Sequence, residues 1–311
     1  MEPRLFESTA IGAYATKPAW DAVAVEILGV MLERWALTPG RVLMGGYTGT
    51  VLEVTGADGA PAVLKIGFPH VEGIAEAVAL AAFPSGTAPA VLRQDPWTWA
   101  MLLERITPGI PLSEAGLPPD EALVVGAELL ARIAASPIPR GVPTLASVVR
   151  EYTTLARARA DEQHGPLGDL GVRELVTAAI DDLDDLALAD GTAMVHGDFN
   201  PGNILKSGGG WACVDPKPMV GDSAYDLWPL VSQLGAPFGA ADPASTLAGQ
   251  LTLAAGTAGI DPVRAARWAV GRTALNVTWY LAEGLPDLAA RDAAELPVWG
   301  RARDLLAPPV S

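Results

Sequence analysis

The sequence has little of several residue types that define common classes of protein. Its 311 residues include one cysteine, Cys213, and three histidines. A single cysteine excludes an intrachain disulfide, and its place in an apolar run favours a buried thiol over a nucleophile. Three scattered histidines are too few to supply the ligands of a two-metal phosphoesterase. The 36 acidic residues outnumber the 21 basic ones. This balance argues against nucleic acid or an anionic membrane as a partner.

Long apolar runs are also missing. No uninterrupted run reaches the roughly 18 residues of a membrane-spanning helix, and the first residues lack a basic start followed by an apolar block. We therefore expect a cytoplasmic protein. Hydrophobic residues make up 50% of the chain, which over 311 residues is enough for a sizeable core and about two lobes. The net charge of -15 is compatible with a cationic small-molecule partner, but net charge does not locate a site and solubility is the simpler explanation.

The first third of the chain mixes helix and strand signals. Residues 19–35 repeat apolar side chains at helical spacing, and two β-type runs at 51–54 and 62–66 flank a turn containing Asp58-Gly59. Another helical stretch and two further strand signals follow at 71–83, 91–93 and 99–104. This order predicts a small antiparallel sheet that carries one helix.

The rest of the chain is mostly helical beyond a break at Pro108-Gly109-Ile110-Pro111. Helical patterns cover 120–135, 147–164, 172–188 and much of 224–306, and a β-rich segment interrupts them at 192–215. We expect an α+β, two-lobed fold. The N-lobe, a small antiparallel sheet, would cover residues 1–104, and a larger, mostly helical C-lobe would cover 105–311.

The strongest chemical signal lies in the β-rich segment. A loop between two strand-like ends carries His196, Asp198 and Asn203, and the next strand-like run ends at Asp215. Phosphoryl transfer needs one carboxylate that accepts the proton of the attacking hydroxyl. It also needs oxygen ligands that hold magnesium against the nucleotide phosphates. We assign Asp198 the catalytic role and Asn203 and Asp215 the metal, with His196 supporting the loop. An ordinary polar turn does not require this set in this order.

The motif His196-x-Asp198-x4-Asn203, followed by Asp215, resembles the protein-kinase-like fold in its small-molecule branch, the aminoglycoside phosphotransferases and choline kinases. Two later runs, DPKP…GDSAYDLWP within 215–229 and RTALNVTWYLAEG at 272–284, resemble the streptomycin 6-phosphotransferase and hydroxyurea phosphotransferase family. The resemblance implies a bilobal protein-kinase-like fold. It also implies an ATP- and Mg²⁺-dependent phosphotransferase with an alcohol group as acceptor.

The resemblance extends to the nucleotide side of the site. It implies that Lys65 binds the α- and β-phosphates, with Glu76 as its ion-pair partner and Glu72 as the second choice. The loop 45–49, with Gly46, departs from G-x-G-x-x-G, and glycines in a hairpin serve the turn equally well. Contact between Gly46 and a phosphate therefore stays open.

The same resemblance assigns the hinge and two supporting carboxylates, and Lys217 is a separate case. The backbone at Glu104 and Ile106 corresponds to the hinge that pairs with adenine, and Asp222 and Asp226 correspond to residues that brace the catalytic loop. Asp at a helix start also caps the helix, which is the same kind of structural role. Lys217 either contacts a phosphate or extends to solvent, and the sequence leaves both open.

The acceptor side is the least defined. Asn276, Trp279, Tyr280 and Glu283 recur at helical spacing, so one helix face can present them together. An aromatic ring beside a carboxylate suits a sugar or a cationic ligand, yet a stripe of this kind also serves a helical core. Both interpretations stay open.

Three functions are compatible with these residues. The resemblance favours an antibiotic-inactivating kinase of the streptomycin or hydroxyurea type. A metabolic sugar or amino-sugar kinase, such as a glucosamine kinase, is the alternative. A nucleotide-binding pseudokinase scaffold is disfavoured because Lys65, Asp198, Asn203 and Asp215 are all present. A protein kinase is disfavoured too, since Asp215-Pro216-Lys217 replaces Asp-Phe-Gly and no Ala-Pro-Glu follows.

Overall fold

The computed structural model describes residues 17–43, 49–69, 73–188 and 191–308. Within these ranges the N-terminal part contains two α-helices and five strands. In chain order they are α1 (Lys17–Arg34), β1 (Thr38–Leu43), β2 (Gly49–Thr55), β3 (Pro61–Gly67), α2 (Glu76–Ala82), β4 (Val91–Asp95) and β5 (Ala100–Glu104).

In the rest of the described ranges the regular elements are mostly α-helices, with five short strands between them. They are β6 (Pro108–Pro111), α3 (Pro119–Ala134), α4 (Leu145–Glu162), α5 (His164–Asp169), α6 (Arg173–Leu188), β7 (Ala193–Val195), β8 (Ile204–Ser207), β9 (Gly210–Cys213), β10 (Met219–Gly221), α7 (Leu227–Gln233), α8 (Pro243–Ala258), α9 (Pro262–Ala282) and α10 (Pro286–Leu306). Within the described ranges, no helix is long and apolar enough to cross a membrane.

The N-terminal sheet is antiparallel, with the strand order β1-β2-β3-β5-β4. Its central strand β3 places Lys65 opposite Val51 on one side and Met101 on the other. Leu64 and Ile66 are fully buried in a core that also includes Trp20 of α1. The buried strand therefore holds Lys65 in a fixed position.

Two features of this part differ from the sequence expectation. Strand β1 was not predicted, because Thr38-Pro39-Gly40 shows no apolar alternation. It is an exposed edge strand, the position in a sheet where proline is tolerated. Helix α2 begins at Glu76 and is therefore shorter than the predicted helix over 71–83. Residues 71–72, which include Glu72, lie outside the described residues.

The C-terminal part packs around α9, whose Trp268 is fully buried. This helix contacts α4, α6, α8 and α10. Two small sheets lie beside the helices, one pairing β10 with β7 and the other ordered β6-β8-β9. Because Met219 pairs with Val195, the loop that follows β7 lies against the segment that precedes β10. The predicted α+β organisation, a small antiparallel sheet followed by a helical part, is confirmed.

The boundary between the two lobes stays a proposal at residues 104 and 105. Strand β5 of the N-terminal sheet ends at Glu104. The next strand, β6, pairs instead with β8 among the elements of the helical part. The change of pairing partner supports the division into 1–104 and 105–311.

Candidate active site

The loop after β7 is held at its start by a buried carboxylate. The backbone N–H groups of His196 and Gly197 donate hydrogen bonds of 2.7 and 2.9 Å to the two oxygens of Asp226. Burial raises the pKa of Asp226 to about 7, although these two hydrogen bonds and the charge of Arg272 oppose the shift. The Asp226 side chain therefore holds the backbone of the loop in place, which is a structural role.

Gly197 lies in close contact with the segment before β10. Its φ of 84° is in the left-handed region, and a Cβ atom here would lie 2.0 Å from the carbonyl oxygen of Lys217. The N–H of Lys217 in turn donates to the carbonyl oxygen of His196 at 2.8 Å. Only glycine fits this approach, which fixes Lys217 beside Asp198.

The Asp198 carboxylate has two polar neighbours. The amide nitrogen of Asn200 donates to its Oδ1 at 3.0 Å, and the Nζ atom of Lys217 lies 3.6 Å from its Oδ2. Burial favours the neutral acid, but the charge of Lys217 and the hydrogen bond from Asn200 hold the pKa of Asp198 below its ordinary value. Asp198 is therefore ionised at neutral pH.

His196 is buried beneath this loop. Its ring lies between Phe83 and Phe199, with centroids at 6.4 and 5.4 Å, and the N–H of Asp198 is 3.3 Å from its Nδ1 atom. Burial lowers the pKa of His196 to about 4, so the ring is neutral at neutral pH. A neutral imidazole whose Nδ1 accepts a backbone hydrogen bond supports the loop and carries no charge into the site.

Asn203 and Asp215 supply oxygen atoms beside the loop. The amide nitrogen of Asn203 donates to the carbonyl oxygen of Asp198 at 2.9 Å, so its amide oxygen is the atom left for a ligand. The N–H of Val214 donates to the carbonyl oxygen of Asn203 at 2.9 Å, which brings the next residue, Asp215, close to Asn203. One carboxylate and one amide oxygen are hard donors of the kind that suits Mg²⁺.

Lys65 connects the sheet to this region. Its ammonium lies 2.5 Å from both Glu76 Oε1 and Asp215 Oδ1. Burial by itself lowers the pKa of Lys65, but the two carboxylates outweigh it and the pKa is raised. Burial likewise favours neutral Asp215, but Lys65 holds the pKa of Asp215 below its ordinary value. The two are therefore a charged pair, brought together from positions 150 residues apart.

Asp222 anchors the same region to α9. Its carboxylate accepts hydrogen bonds from the Trp268 indole at 2.6 Å and from the N–H of Ala224 at 3.0 Å, and it pairs with Arg264. Asp222 therefore caps the short 3-10 turn that leads to Asp226.

The residues predicted to contact adenine lie at and just after the end of β5, an inner strand of the sheet. Glu104 ends β5, its N–H donates to the carbonyl oxygen of Ala90, and its Oε2 accepts from the N–H of Ala90. Ile106 lies in the connection to β6. Gly46 lies outside the described residues.

A cavity of about 620 Å³ opens in front of Asp198. Its lining includes Lys217 together with Asn276, Trp279 and Tyr280 of α9. These three of the four predicted acceptor residues therefore share one cavity with the catalytic candidate. Glu283, the fourth, caps the C-terminal end of α9 and is not among the described residues that line the cavity.

Comparison with known proteins agrees with this geometry. The model of the aminoglycoside/hydroxyurea antibiotic resistance kinase family matches residues 34–284. The chain belongs to this family. It is a kinase that transfers a phosphoryl group to a hydroxyl group of a small molecule, and the predicted family and type of enzyme are confirmed.

Two relatives of the kinase have named activities. A hydroxyurea phosphotransferase of Kitasatospora aureofaciens is 34% identical over 268 residues, which cover 85% of this chain and 75% of the relative. A streptomycin 6-kinase of Streptomyces glaucescens is 31% identical over 269 residues, or 86% of each chain.

A solved structure shows the same fold. An aminoglycoside phosphotransferase in complex with ADP and hygromycin B superimposes on the kinase with a TM-score of 0.59 at 17% identity, covering 88% of this chain and 97% of the other. The kinase-like fold expected from the sequence is thereby confirmed.

Sequence reasoning missed several residues of the site. Asn200 donates a hydrogen bond to the Asp198 carboxylate. Its carboxamide, two residues after Asp198, could have been recognised in the sequence. Arg159 of α4 and Asp292 and Glu295 of α10 also line the cavity. In the sequence these residues only follow a helical spacing. The sequence does not show which other helices their faces pack against. The roles of the individual site residues stay predictions.

Proposed function

We propose that the protein is an ATP- and Mg²⁺-dependent O-phosphotransferase that inactivates an antibiotic of the streptomycin or hydroxyurea type. The observation that carries this proposal is the position of Asp198. Its ionised carboxylate lines the 620 Å³ cavity, while Asn203 holds its backbone and Asp215 and Lys65 form a charged pair close by. This arrangement suits transfer from a bound nucleotide to an acceptor in the cavity.

The nucleotide would bind between the sheet and the loop. Asn203 and Asp215 would hold Mg²⁺, which neutralises charge on the phosphates when it is bound. Lys65, kept in place by Glu76, would contact the α- and β-phosphates, and Lys217 the phosphoryl group nearest Asp198. The backbone at Glu104 and Ile106 would pair with adenine. Contact between Gly46 and a phosphate stays a prediction, because Gly46 lies outside the described residues.

Asp198 would act on the acceptor hydroxyl. Its carboxylate accepts a hydrogen bond from the hydroxyl, orients the oxygen toward the γ-phosphorus, and takes the proton as the oxygen–phosphorus bond forms. The bond from the γ-phosphorus to the bridging oxygen breaks, and ADP leaves. The reaction needs no covalent enzyme intermediate, because Asp198 only positions and deprotonates the acceptor.

The antibiotic role rests on the two relatives with named acceptors, at 34% and 31% identity. A metabolic sugar or amino-sugar kinase is the second candidate. The cavity favours it through one feature, the aromatic rings of Trp228 and Trp279 in the same lining as carboxylates. Aromatic rings beside hydrogen-bonding groups suit a sugar. Here Arg272 lies over the ring of Trp228 and Arg159 over that of Trp279, so each ring has one face left for a ligand.

The test is mass spectrometry of products after incubation with Mg-ATP and an acceptor panel. The panel contains streptomycin, other aminoglycosides, hydroxyurea, glucosamine and neutral sugars. We expect one acceptor to gain a phosphoryl group, and Asp198→Asn to lower kcat by about 10²- to 10⁴-fold while Mg-ATP binding is retained.

The matched control is Asp169→Asn, which makes the same change at an exposed position at the end of α5. It should leave turnover unchanged. Substantial turnover by Asp198→Asn would contradict the role of Asp198, and phosphorylation of sugars alone would favour the metabolic candidate.

A further inference from the structure

The cavity in front of Asp198 is lined by as many cations as anions. Among the described residues, four acidic side chains line it together with four basic ones, the latter being Arg159, Lys217, Arg272 and Arg291. Lys217 and Arg291 lie beside carboxylates. Arg159 and Arg272 lie over aromatic rings instead, and in the described part of the chain neither forms an ion pair. Arg272 differs from Arg159 because it also donates a hydrogen bond to a backbone carbonyl group.

Arg272 joins α9 to the 3-10 turn Ser223–Asp226. Its guanidinium carbon lies 3.9 Å from the centroid of the Tyr225 ring and 4.6 Å from that of the Trp228 ring. The same guanidinium donates to the carbonyl oxygen of Tyr225 at 3.0 Å. Tyr225 is buried and forms a T-shaped ring contact with Trp268, 5.3 Å between centroids. Because a planar guanidinium stacks and donates in a fixed geometry, Arg272 holds the backbone of the turn from the cavity side.

The turn leads directly to the support of the catalytic loop. Asp226, its last residue, is fully buried and accepts hydrogen bonds of 2.7 and 2.9 Å from the N–H groups of His196 and Gly197. The next residue of the loop is Asp198. Burial raises the pKa of Asp226 to about 7, and the charge of Arg272 is among the contributions that oppose this rise. Arg272 therefore supports both the position and the charge of the carboxylate that holds the loop.

We propose that Arg272 is a positioning residue for Asp198 and acts on it through the turn and the Asp226 carboxylate. The inference rests on the proposed function, in which Asp198 must lie within hydrogen-bond reach of the acceptor hydroxyl. A displacement of about 1 Å at a reacting group can cost roughly 100-fold in rate.

The proposal separates Arg272 from the other cavity residues of α9. Arg272 lines the cavity, but its contacts lead to the loop and not only to the acceptor. Its loss should therefore lower the rate with every acceptor in the same proportion, including water.

The test compares Arg272→Gln with the wild type in two reactions. One is transfer to an acceptor identified with the panel, and the other is basal hydrolysis of Mg-ATP, in which water takes the place of the acceptor. We expect kcat for both reactions to fall by about 10- to 100-fold, while Mg-ATP affinity and KM for the acceptor change by less than about 3-fold. A higher KM for the acceptor with unchanged hydrolysis would make Arg272 an acceptor-binding residue and overturn the proposal.

Arg267→Gln is the matched control on the same helix. Arg267 pairs with Asp182 of α6 and is not among the described residues that line the cavity. The control loses an ion pair of α9 without touching the turn, so both rates should be unchanged. An equal fall of kcat in Arg267→Gln and Arg272→Gln would show a general effect on α9 and overturn the specific role of Arg272.

Amide hydrogen exchange separates this proposal from the proposed function. Mass spectrometry follows exchange in peptides that contain His196 and Gly197, in the wild type and in both variants. We expect exchange at these two amides to be about 10-fold faster in Arg272→Gln and unchanged in Arg267→Gln, because only the first variant loosens the turn.

Faster exchange in Arg272→Gln supports the proposal even if the wild type phosphorylates no acceptor, in which case only the proposed function fails. Unchanged exchange in Arg272→Gln overturns the proposal, whether or not the wild type transfers a phosphoryl group.

Discussion

The two halves of the candidate site are built in different ways. The reaction half, from His196 to Asn203 and from Asp215 to Lys217, is joined mainly by backbone hydrogen bonds over short stretches of chain. The acceptor half is formed by side chains from α4, α9 and α10. Backbone hydrogen bonds break when the chain shifts by a small distance. A side chain on a helix face, in contrast, can be substituted without moving the backbone. Substitutions in the reaction half should therefore affect all acceptors alike, and those in the acceptor half should change selectivity.

The largest effect is expected at Gly197. Gly197→Ala places a Cβ atom against the Lys217 carbonyl oxygen and requires a left-handed backbone from alanine. We expect a loss of roughly 2–5 kcal/mol in the free energy of unfolding, measured by chemical denaturation.

Gly116→Ala is the control for backbone strain alone, because its φ is 70° and no atom lies within 4 Å of the added Cβ. It should lose only about 1–2 kcal/mol. Equal losses in the two variants would show that the close approach at Gly197 does not matter.

Asp215→Ala tests whether the reaction half serves the nucleotide. Removing this carboxylate takes away a proposed Mg²⁺ ligand and leaves the buried Lys65 with only Glu76. We expect Mg-ATP affinity to fall by roughly 100-fold, measured by calorimetry, for a cost of about 3 kcal/mol. Unchanged affinity would remove Asp215 from the metal site.

The pH dependence of stability tests the buried ring of His196. Its pKa is lowered from 6.5 to about 4, so the folded protein binds this proton less readily than the unfolded chain does. The stability that comes from keeping this ring neutral is fully present above pH 6.5. As the pH falls toward 4, the free energy of unfolding decreases by roughly 3 kcal/mol for this reason.

His196→Asn should flatten the slope of unfolding free energy between those pH values. His164→Asn, at an exposed position on α5, should keep it. Parallel slopes for the wild type and His196→Asn would contradict a neutral buried His196.

The smallest effect is expected in the acceptor half. Asn276 donates to Asp292 at 3.0 Å, and Asp292 is 2% exposed. Asn276→Ala should cost about 1–3 kcal/mol of stability and raise KM for the acceptor while Mg-ATP affinity is unchanged. A parallel loss of nucleotide affinity would show that the two halves are not independent.

Prediction from sequence was most successful where the signal is local. The hairpin of β2 and β3 could be located because strand alternation and the turn at Asp58-Gly59 are adjacent in the chain. Strand β1 could not, because an exposed edge strand has no apolar pattern to detect. The start of α2 was misplaced for a related reason, since apolar residues precede Glu76 without forming part of the helix.

The sequence by itself determined the family and the set of residues from His196 to Asp215, because these lie in a short stretch whose spacing suits phosphoryl transfer. Only the tertiary structure decided which charges meet. Lys65 and Asp215 pair across 150 residues, and Arg159 of α4 lies over Trp279 of α9. The net charge of the chain predicts neither contact, because the packing of the helices and strands decides which side chains far apart in sequence come together. The charge balance of the acceptor cavity is therefore a property of the fold.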